Sequence, residues 1–183
     1  GHYPAILKDS VVGEAARSLY DDALAMLGQI VEEGWLEARA VIGFFPANRV
    51  GDDLEIYSDE SRSVVTKVFH FLRQQMHRDV GRPNLCLADF VAPVDSGVQD
   101  YLGAFVVTAG LRIEEQLTKF KSQFDDYNDI LLKALADRLA EAFAERMHER
   151  VRKEFWGYVP EENLDNASII KEKYTGIRPA PGY

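Results

Sequence analysis

Acidic side chains and one histidine follow the helical repeat of the segment YNDILLKALADRLAEAFAERMHERVRKEF. Asp137, Glu141, Glu145 and His148 are separated by four, four and three positions, which places them on one face of a helix. Glu145 and His148 form the Glu-x-x-His pair that binds two iron ions in helical bundles, but such a site needs a second pair and further glutamates. The sequence contains no second pair. Since neighbouring arginines can neutralise these carboxylates, the pattern favours a charged helix face over a metal site.

The chain ends in the segment GIRPAPGY, which combines a cation, two rigid residues and an aromatic ring. Pro179 and Pro181 fix their own φ angles and favour extended conformations of the residues before them, whereas Gly182 permits a sharp change of direction. A rigid segment loses little entropy on binding. Arg178 can bind a carboxylate through two parallel hydrogen bonds, and Tyr183 can cover an aromatic base. Considered alone, such a segment is more often a structural loop.

The other residue types with chemical potential form no recognisable site. The histidines, at positions 2, 70, 77 and 148, include no pair at the spacing that binds zinc on a helix. The single cysteine, Cys86, allows no intrachain disulfide and lies in an apolar segment, which predicts a buried, inert thiol. Asp52 and Asp53 favour a hairpin turn over a metal site. The sequence also lacks a P-loop, a G-x-S-x-G and a G-x-G-x-x-G motif.

The first half of the chain predicts one helix and then strands. Residues 10–33 have helical spacing, with Ser10 as the candidate N-cap and Gly34 at the end. NRVGDD predicts a hairpin connection longer than the tightest type. The strand candidate RSVVTKVFHFL is expected to pass into helix at RQQMHR. The strand candidates are ARAVIGFFPA, which Pro46 is expected to end, LEIYS, RSVVTKVFHFL, NLCLADFVAP and DYLGAFVVTAG.

The second half of the chain predicts helices. The helical pattern extends from Leu111 to Phe155, with a break expected near residues 124–126. PEENLDNASIIKEKY predicts a loop and a short helix capped by Asn166. Apolar residues recur every four positions along the longer helix, at Leu131, Leu135, Leu139, Phe143, Met147, Val151 and Phe155. Strands followed by helices indicate an α+β fold with a largely antiparallel sheet, and 183 residues suit a single domain.

Composition and charge exclude several functional classes. The chain has 46% hydrophobic residues and a formal net charge of −9, as expected for an acidic globular protein. A protein that binds duplex nucleic acid needs clustered Lys and Arg. A protein that docks on an anionic membrane surface needs positive charge as well. No run of about 18 apolar residues predicts a membrane span. We therefore expect no nucleic-acid partner and no membrane association, and the absence of a signal-peptide pattern predicts a cytoplasmic location.

Several long motifs, found in one order, resemble a known family. They are FFPANRVGDDLEIY, LCLADFVAP, DDYNDI, LADRLAEAFAERMHERVRKEFWGY, ENL and GIRPAPGY. Together they are similar to the C-terminal activation domain of cobalamin-dependent methionine synthase, from about Tyr3 to Tyr183. The resemblance implies a single C-shaped α+β domain with a twisted, largely antiparallel sheet and long helices.

The resemblance also implies a role in reactivating a methyltransferase. In the family, the complete enzyme transfers a methyl group from 5-methyltetrahydrofolate to homocysteine through cobalamin. When cob(II)alamin forms, the activation domain presents the methyl group of S-adenosylmethionine, and an electron from flavodoxin or a related flavoprotein reductase allows methylcobalamin to be restored. The implied partners are therefore this flavoprotein and the cobalamin-binding domain of the same polypeptide. Zinc is expected only in the homocysteine domain, outside this chain.

The family's binding residues map onto five positions. Arg178 matches the arginine of R-P-A-P-G-Y that is implied to hold the methionine carboxylate. Ala180 falls where backbone groups contact the adenine, and Tyr183 lies beside the ligand. Glu141 and Glu172 match acidic residues that contact or support the cationic ligand. No catalytic residue is implied in this chain, because the reduced cobalt is the nucleophile and the methyl group arrives activated.

Two departures from the family predict that residues 1–183 are an activation-domain fragment, truncated at both ends. An aspartate that contacts the ligand amino group precedes the matching region, and the family continues with PACP after the final tyrosine. We expect the isolated fragment to be inactive in turnover. Three alternatives stay open: a free-standing protein of this fold that binds a small molecule, an interaction module with an acidic docking surface, and a helical metal protein using Glu145 and His148.

Overall fold

The computed structural model describes residues 3–79 and 81–179 and contains strands in the first half and helices in the second. The helices are α1 (Gly13–Glu33), α2 (Ile113–Ser122), α3 (Asp126–Arg150) and α4 (Asn166–Ile170). The strands are β1 (Glu37–Val50), β2 (Asp53–Tyr57), β3 (Val65–His70) and β4 (Asp100–Leu111). Short 3-10 turns cover Ala5–Lys8, Leu87–Phe90 and Val94–Ser96, and a π-helical turn, Val151–Phe155, continues α3. The predicted α+β class is confirmed.

The strands form one sheet in the order β3-β2-β1-β4. β1 and β2 pair antiparallel, with Ala47 opposite Ile56 and Val50 opposite Asp53. β2 and β3 also pair antiparallel, with an irregularity between Ile56 and Tyr57. These pairings confirm the expected antiparallel character of the sheet.

The β1–β2 hairpin is tighter than predicted. Because Val50 is opposite Asp53, the connection is only Gly51 and Asp52, and Gly51 has a φ of 62°. Two-residue hairpin turns require such positive φ angles, which glycine adopts readily. The prediction that Pro46 ends the first strand is wrong, because β1 continues to Val50. Pro46 precedes the residues of β1 that pair with β2, so its missing N–H removes no hydrogen bond from that pairing.

Two further predictions in this region were wrong. NLCLADFVAP contains the 3-10 turn Leu87–Phe90 and no strand, and residues 71–79 contain no helix. Both segments are held by side chains distant in sequence: the guanidinium of Arg73 contacts both Asp52 (2.6 Å) and Asp89 (2.7 Å). Asp89 in turn accepts a hydrogen bond from the backbone N–H of Cys86 at 2.9 Å. The apolar composition of a segment does not reveal ion pairs and hydrogen bonds with residues distant in sequence, so the sequence did not predict this network.

Side-chain N-caps are present on α3 and α4, whereas the N-caps of α1 (Val12) and α2 (Arg112) make no side-chain capping hydrogen bond. Asp9, and not Ser10, accepts hydrogen bonds from the backbone N–H groups that precede α1. Asp165, and not Asn166, caps α4 by accepting from the N–H of Ser168 at 2.8 Å. Gly34 ends α1 in the left-handed conformation, as expected. The break between α2 and α3 is also confirmed, with Asp125 as the N-cap of α3.

The chain divides into two compact units, each with its own apolar core. The first contains the described residues of Gly1–Ala40 and Val106–Tyr183, and the second is Val41–Phe105. The first core joins α1, α2 and α3 through Met26, Ile30, Leu117, Phe120, Leu131 and Leu132. The second core contains Ala47, Leu54, Ile56, Cys86, Ala88 and Val91, so the predicted burial of the free thiol is confirmed. Among the described residues, no helix has the length and apolarity needed to cross a membrane.

Candidate functional site

The carboxyl-terminal half of α3 carries three of the four side chains of the charged face expected from the sequence, and Arg152 extends this face. Glu141, Glu145, His148 and Arg152 lie at spacings of four, three and four, and therefore on one side of the helix and of the turn that continues it. The face begins exposed, since the side chain of Glu141 is 57% exposed. It ends inside the protein, where His148 is 5% and Arg152 is 1% exposed. Part of this charged face is thus built into the interior of the first unit.

Arg152 and Glu162 form a buried ion pair at the end of this face. The guanidinium donates from Nε to both carboxylate oxygens of Glu162, at 3.1 and 3.0 Å, and Nη2 donates to Oε2 as well. Two backbone hydrogen bonds hold the intervening loop, from Val159 N–H to Arg152 O (3.1 Å) and from Glu162 N–H to Val159 O (3.0 Å). A buried guanidinium needs such a counter-charge, because removing it from water is costly.

His148 completes the coordination of Arg152. Its Nδ1 lies 2.9 Å from Nη1 of Arg152. Because a guanidinium can only donate, Nδ1 accepts, and the imidazole is neutral with its proton on Nε2. Burial lowers the pKa of His148 to about 4, and the positive charges of Arg152 and Arg178 act in the same direction. Within the described chain, no three His, Cys, Asp or Glu side chains are grouped to hold a metal ion.

The aromatic ring of Tyr174 rests on this buried network. It meets the imidazole of His148 edge-on, with ring centroids 4.8 Å apart and an interplanar angle of 90°. The guanidinium of Arg152 lies 4.6 Å from the same ring centroid, which is within the range of a cation–π interaction. We call Arg152, Glu162 and His148 the buried platform. Tyr174 attaches the segment that leads to Arg178 to this platform.

The two residues after Tyr174 are also fixed. The hydroxyl of Tyr158 donates to the backbone carbonyl of Thr175 at 3.0 Å. Gly176 has a φ of 97°, and a Cβ placed there would lie 2.8 Å from the same hydroxyl. Only glycine fits this close approach without displacement. Residues 174–176 are therefore held by a ring contact, a hydrogen bond and a steric fit in succession.

Arg178 reaches back to α3 and meets Glu145. Its Nη2 donates to Oε1 of Glu145 in an ion pair. The side chains are 22% and 43% exposed, so the pair lies at the protein surface. The Nε of Arg178 is buried and has no hydrogen-bond partner within the described part of the chain. The guanidinium is thus oriented by one carboxylate while at least one buried donor remains for a second acceptor.

Comparison with known proteins identifies the family. The family model described as "Vitamin B12 dependent methionine synthase, activation domain" matches residues 1–183. The chain belongs to this family. A solved structure described as "Crystal Structure of the MetH Reactivation Domain bound to AdoHcy" is 59% identical in sequence and superposes with a TM-score of 0.91. The match covers 100% of this chain and 56% of that chain, so the present sequence spans little more than half of the solved one.

The structure of this activation-domain chain places three of the five expected ligand-binding residues. Arg178 pairs with Glu145, as described above. Glu141, one turn earlier on α3, pairs with Arg138 at 3.0 Å. Glu172 is exposed, has a φ of 52° and directs its backbone N–H to the carbonyl of Ile169 at 2.9 Å. The other two expected residues, Ala180 and Tyr183, lie outside the described residues.

Sequence reasoning missed the buried platform of this activation domain. The sequence predicts Glu145 and His148 as members of a charged helix face, without a buried partner for either. Arg152 lies four residues after His148, so helical spacing carried a usable signal. Glu162 and Tyr174 carried none, because they are 10 and 22 residues from Arg152 and their contacts depend on the path of the intervening loop.

Proposed function

We propose that this chain binds S-adenosylmethionine and presents its methyl group in the reactivation of a cobalamin-dependent methionine synthase. The observation that carries this proposal is the 59% identical reactivation domain described as bound to AdoHcy. S-adenosylhomocysteine is what remains of S-adenosylmethionine after the methyl group has left. A site that holds the product of methyl donation also suits the donor, which differs by one methyl group and one positive charge.

The environment of Arg178 fits the carboxylate of this ligand. Its buried Nε lacks an acceptor among the described residues, and a ligand carboxylate supplies one. Glu145 meanwhile holds Nη2 and orients the plane of the guanidinium. Arginine bound to a carboxylate in this way gives directional, charge-assisted hydrogen bonds. We therefore assign Arg178 to the methionine carboxylate.

The acidic residues complement the positive end of the ligand. S-adenosylmethionine carries a sulfonium and an ammonium group, and Glu141 and Glu172 are exposed carboxylates in the same unit. Their charge attracts a cationic ligand. We further propose that backbone groups of Ala180 contact the adenine and that Tyr183 lies beside the ligand, as the family resemblance implies.

The contribution of this chain to the reaction is to bind and orient the donor. A cobalamin held by a neighbouring domain of the same polypeptide would supply the nucleophile for this methyl group, with its electron coming from flavodoxin or a related flavoprotein reductase, and S-adenosylhomocysteine would be the leaving group. The sulfonium already activates the methyl group, so no side chain of this chain has to remove a proton. The absence of a general acid or base from the proposed roles follows from this chemistry.

The remaining proposals concern the protein that contains this chain. We propose that residues 1–183 are a fragment of the activation domain, inactive in turnover when isolated. The parent protein transfers methyl groups from 5-methyltetrahydrofolate to homocysteine and carries zinc in its homocysteine domain. The match to this chain covers 56% of the solved reactivation-domain chain, which supports the proposal that residues 1–183 are a fragment. A cytoplasmic location agrees with the free thiol of Cys86.

Calorimetric titration of S-adenosylmethionine into the parent protein tests the site. Arg178→Ala is expected to weaken binding at least about tenfold, which corresponds to about 1.4 kcal/mol. Arg112→Ala is the matched control, because Arg112 also pairs with a glutamate, Glu115, at 3.2 Å on the surface of the same unit. No binding by the folded wild type would overturn the proposed function. Unchanged affinity after Arg178→Ala would show that the terminal segment is structural and that Arg178 does not bind the carboxylate.

A further inference from the structure

We propose that Tyr174 is the positioning residue for Arg178: by resting on the buried platform, its ring fixes the path of residues 174–178 so that the guanidinium meets Glu145. This inference rests on the proposed function, in which Arg178 binds the ligand carboxylate. It assigns a role to a buried ionic network that neither the sequence nor the family resemblance singled out.

The platform is suited to act as a rigid support. Arg152 makes two contacts from Nε to Glu162 and one from Nη1 to His148, and its face is covered by the Tyr174 ring. A buried polar network in which the groups are satisfied resists rearrangement, because every displaced hydrogen bond leaves a desolvated group behind. The side chains of the ion pair are 2% and 9% exposed, so water cannot easily replace the lost partners.

Residues 174–178 contact α3 and its π-helical extension at two places, in an order that runs from the buried end of the charged face to its exposed end. Tyr174 contacts His148 and Arg152, and Arg178 contacts Glu145. Glu145 and His148 are three residues apart, which is about 4.5 Å along the helix axis. Residues 174 and 178 are four apart and span at most about 14 Å. The segment therefore crosses the helical surface from its buried end toward its exposed end, and the first contact sets where the second falls.

Without the first contact, the second holds Arg178 poorly. The pair with Glu145 is partly exposed, and an exposed ion pair restrains a long side chain only weakly. Arg178 would then sample many positions, and binding of a carboxylate would require ordering that the wild type has already completed. Loss of the Tyr174 ring should thus weaken recognition of the ligand carboxylate and leave the other ligand contacts in place.

The test compares two ligands on variants of the parent protein. S-adenosylmethionine carries the carboxylate, and decarboxylated S-adenosylmethionine lacks it. Tyr174→Leu is expected to weaken binding of the first about tenfold and of the second less than about twofold. Tyr174→Phe keeps the ring and should bind both ligands like the wild type. In an Arg178→Ala background, Tyr174→Leu should produce no further loss.

A matched control separates positioning from general destabilisation. Tyr127→Leu alters a half-exposed tyrosine near the start of α3, 18 residues or about 27 Å along the helix from Glu145, and should leave both affinities unchanged. If Tyr174→Leu does not fold, the same comparison is made with Gly176→Ala, which displaces the segment between the ring and Arg178.

The outcomes separate this inference from the proposed function. Equal weakening of both ligands by the variant, or no weakening of either, would show that Tyr174 does not act through Arg178, while the proposed function stands. A further loss in the Arg178→Ala background would overturn the inference in the same way. Failure of the folded wild type to bind S-adenosylmethionine would overturn both.

Discussion

Nη1 of Arg152 lies 2.9 Å from Nδ1 of His148 in the interior of the first unit. Two basic residues one turn apart can share this space only because the imidazole is neutral and accepts the hydrogen bond. Glu162 supplies the negative charge that balances the guanidinium. The platform under Tyr174 therefore depends on the protonation state of a histidine and on a single carboxylate, and both dependences can be measured.

Acidification should destabilise the protein through His148. The pKa of His148 is lowered to about 4 by burial and by Arg152 and Arg178, whereas an unfolded histidine has a pKa of about 6.5. Between these values the unfolded chain binds more protons, so the free energy of unfolding falls as the pH falls. The contribution of this residue amounts to about 2 kcal/mol between pH 7 and pH 5.

Urea unfolding at pH 7 and pH 5 measures this dependence. His148→Gln should lose less stability over the interval than the wild type, although it is less stable at pH 7. His77→Gln, which alters an exposed histidine, should retain the wild-type pH dependence. Equal pH dependence of the wild type and His148→Gln would contradict the assignment.

Removing the counter-charge of Arg152 should be strongly destabilising. Glu162→Gln leaves a buried guanidinium without a carboxylate, and breaking such a pair lowers the free energy of unfolding by about 3–5 kcal/mol. Glu115→Gln is the control, because Glu115 pairs with Arg112 at the surface, where a pair is worth about 0–1 kcal/mol. Chemical unfolding of both variants measures these losses, and equal decreases in the free energy of unfolding would refute the prediction.

Gly176→Ala should distort the terminal segment for two reasons. The φ of 97° is unfavourable for alanine, and the added Cβ would lie 2.8 Å from the hydroxyl of Tyr158. Gly34→Ala controls for the backbone effect, since Gly34 has a φ of 63° and no atom of the described residues lies within 4 Å of the added Cβ; it should cost about 1–2 kcal/mol.

Thermal or urea unfolding should show a larger loss for Gly176→Ala than for Gly34→Ala. In a Tyr158→Phe background, where the hydrogen bond to Thr175 is lost in both proteins compared, Gly176→Ala should cost less than it does in the wild type, because the nearest clashing atom is absent. An equal cost in both backgrounds would mean that the close approach is not the source of the effect.

Arg62 should be irreplaceable by lysine in the second unit. Its guanidinium lies 5.6 and 5.4 Å from the ring centroids of Tyr57 and Tyr101 and donates to backbone carbonyls of β1 and β4. Lysine keeps the charge but lacks the planar group that stacks and donates in several directions. Arg62→Lys is expected to lower the free energy of unfolding by about 2 kcal/mol.

Arg39→Lys provides the comparison for this arginine, because Arg39 is 70% exposed in its side chain and pairs with Glu37 two residues away. That variant should change stability by less than about 0.5 kcal/mol. Differential scanning calorimetry of the two variants would reject the stacking argument if Arg62→Lys unfolded like Arg39→Lys.

Long periodic segments were predictable, and irregular ones were not. α1 and α3 have apolar residues at helical spacing over more than five turns, so many residues agree on one conformation. NLCLADFVAP is also rich in apolar residues, yet it contains a 3-10 turn in which Asp89 accepts a hydrogen bond from Arg73, a residue of another segment. A local pattern cannot encode a partner whose distance depends on the fold of the intervening chain.

The sequence by itself determined the family, through long motifs in a fixed order, and the candidate cation, Arg178. Only the tertiary structure decided which carboxylate that cation meets. Glu141 and Glu145 are one turn apart on the same helix face, so their spacing cannot distinguish them. The choice depends on where residues 174–178 cross α3, and this is set by the contact of Tyr174 with the buried platform. Such a contact joins residues far apart in sequence, and no local propensity specifies it.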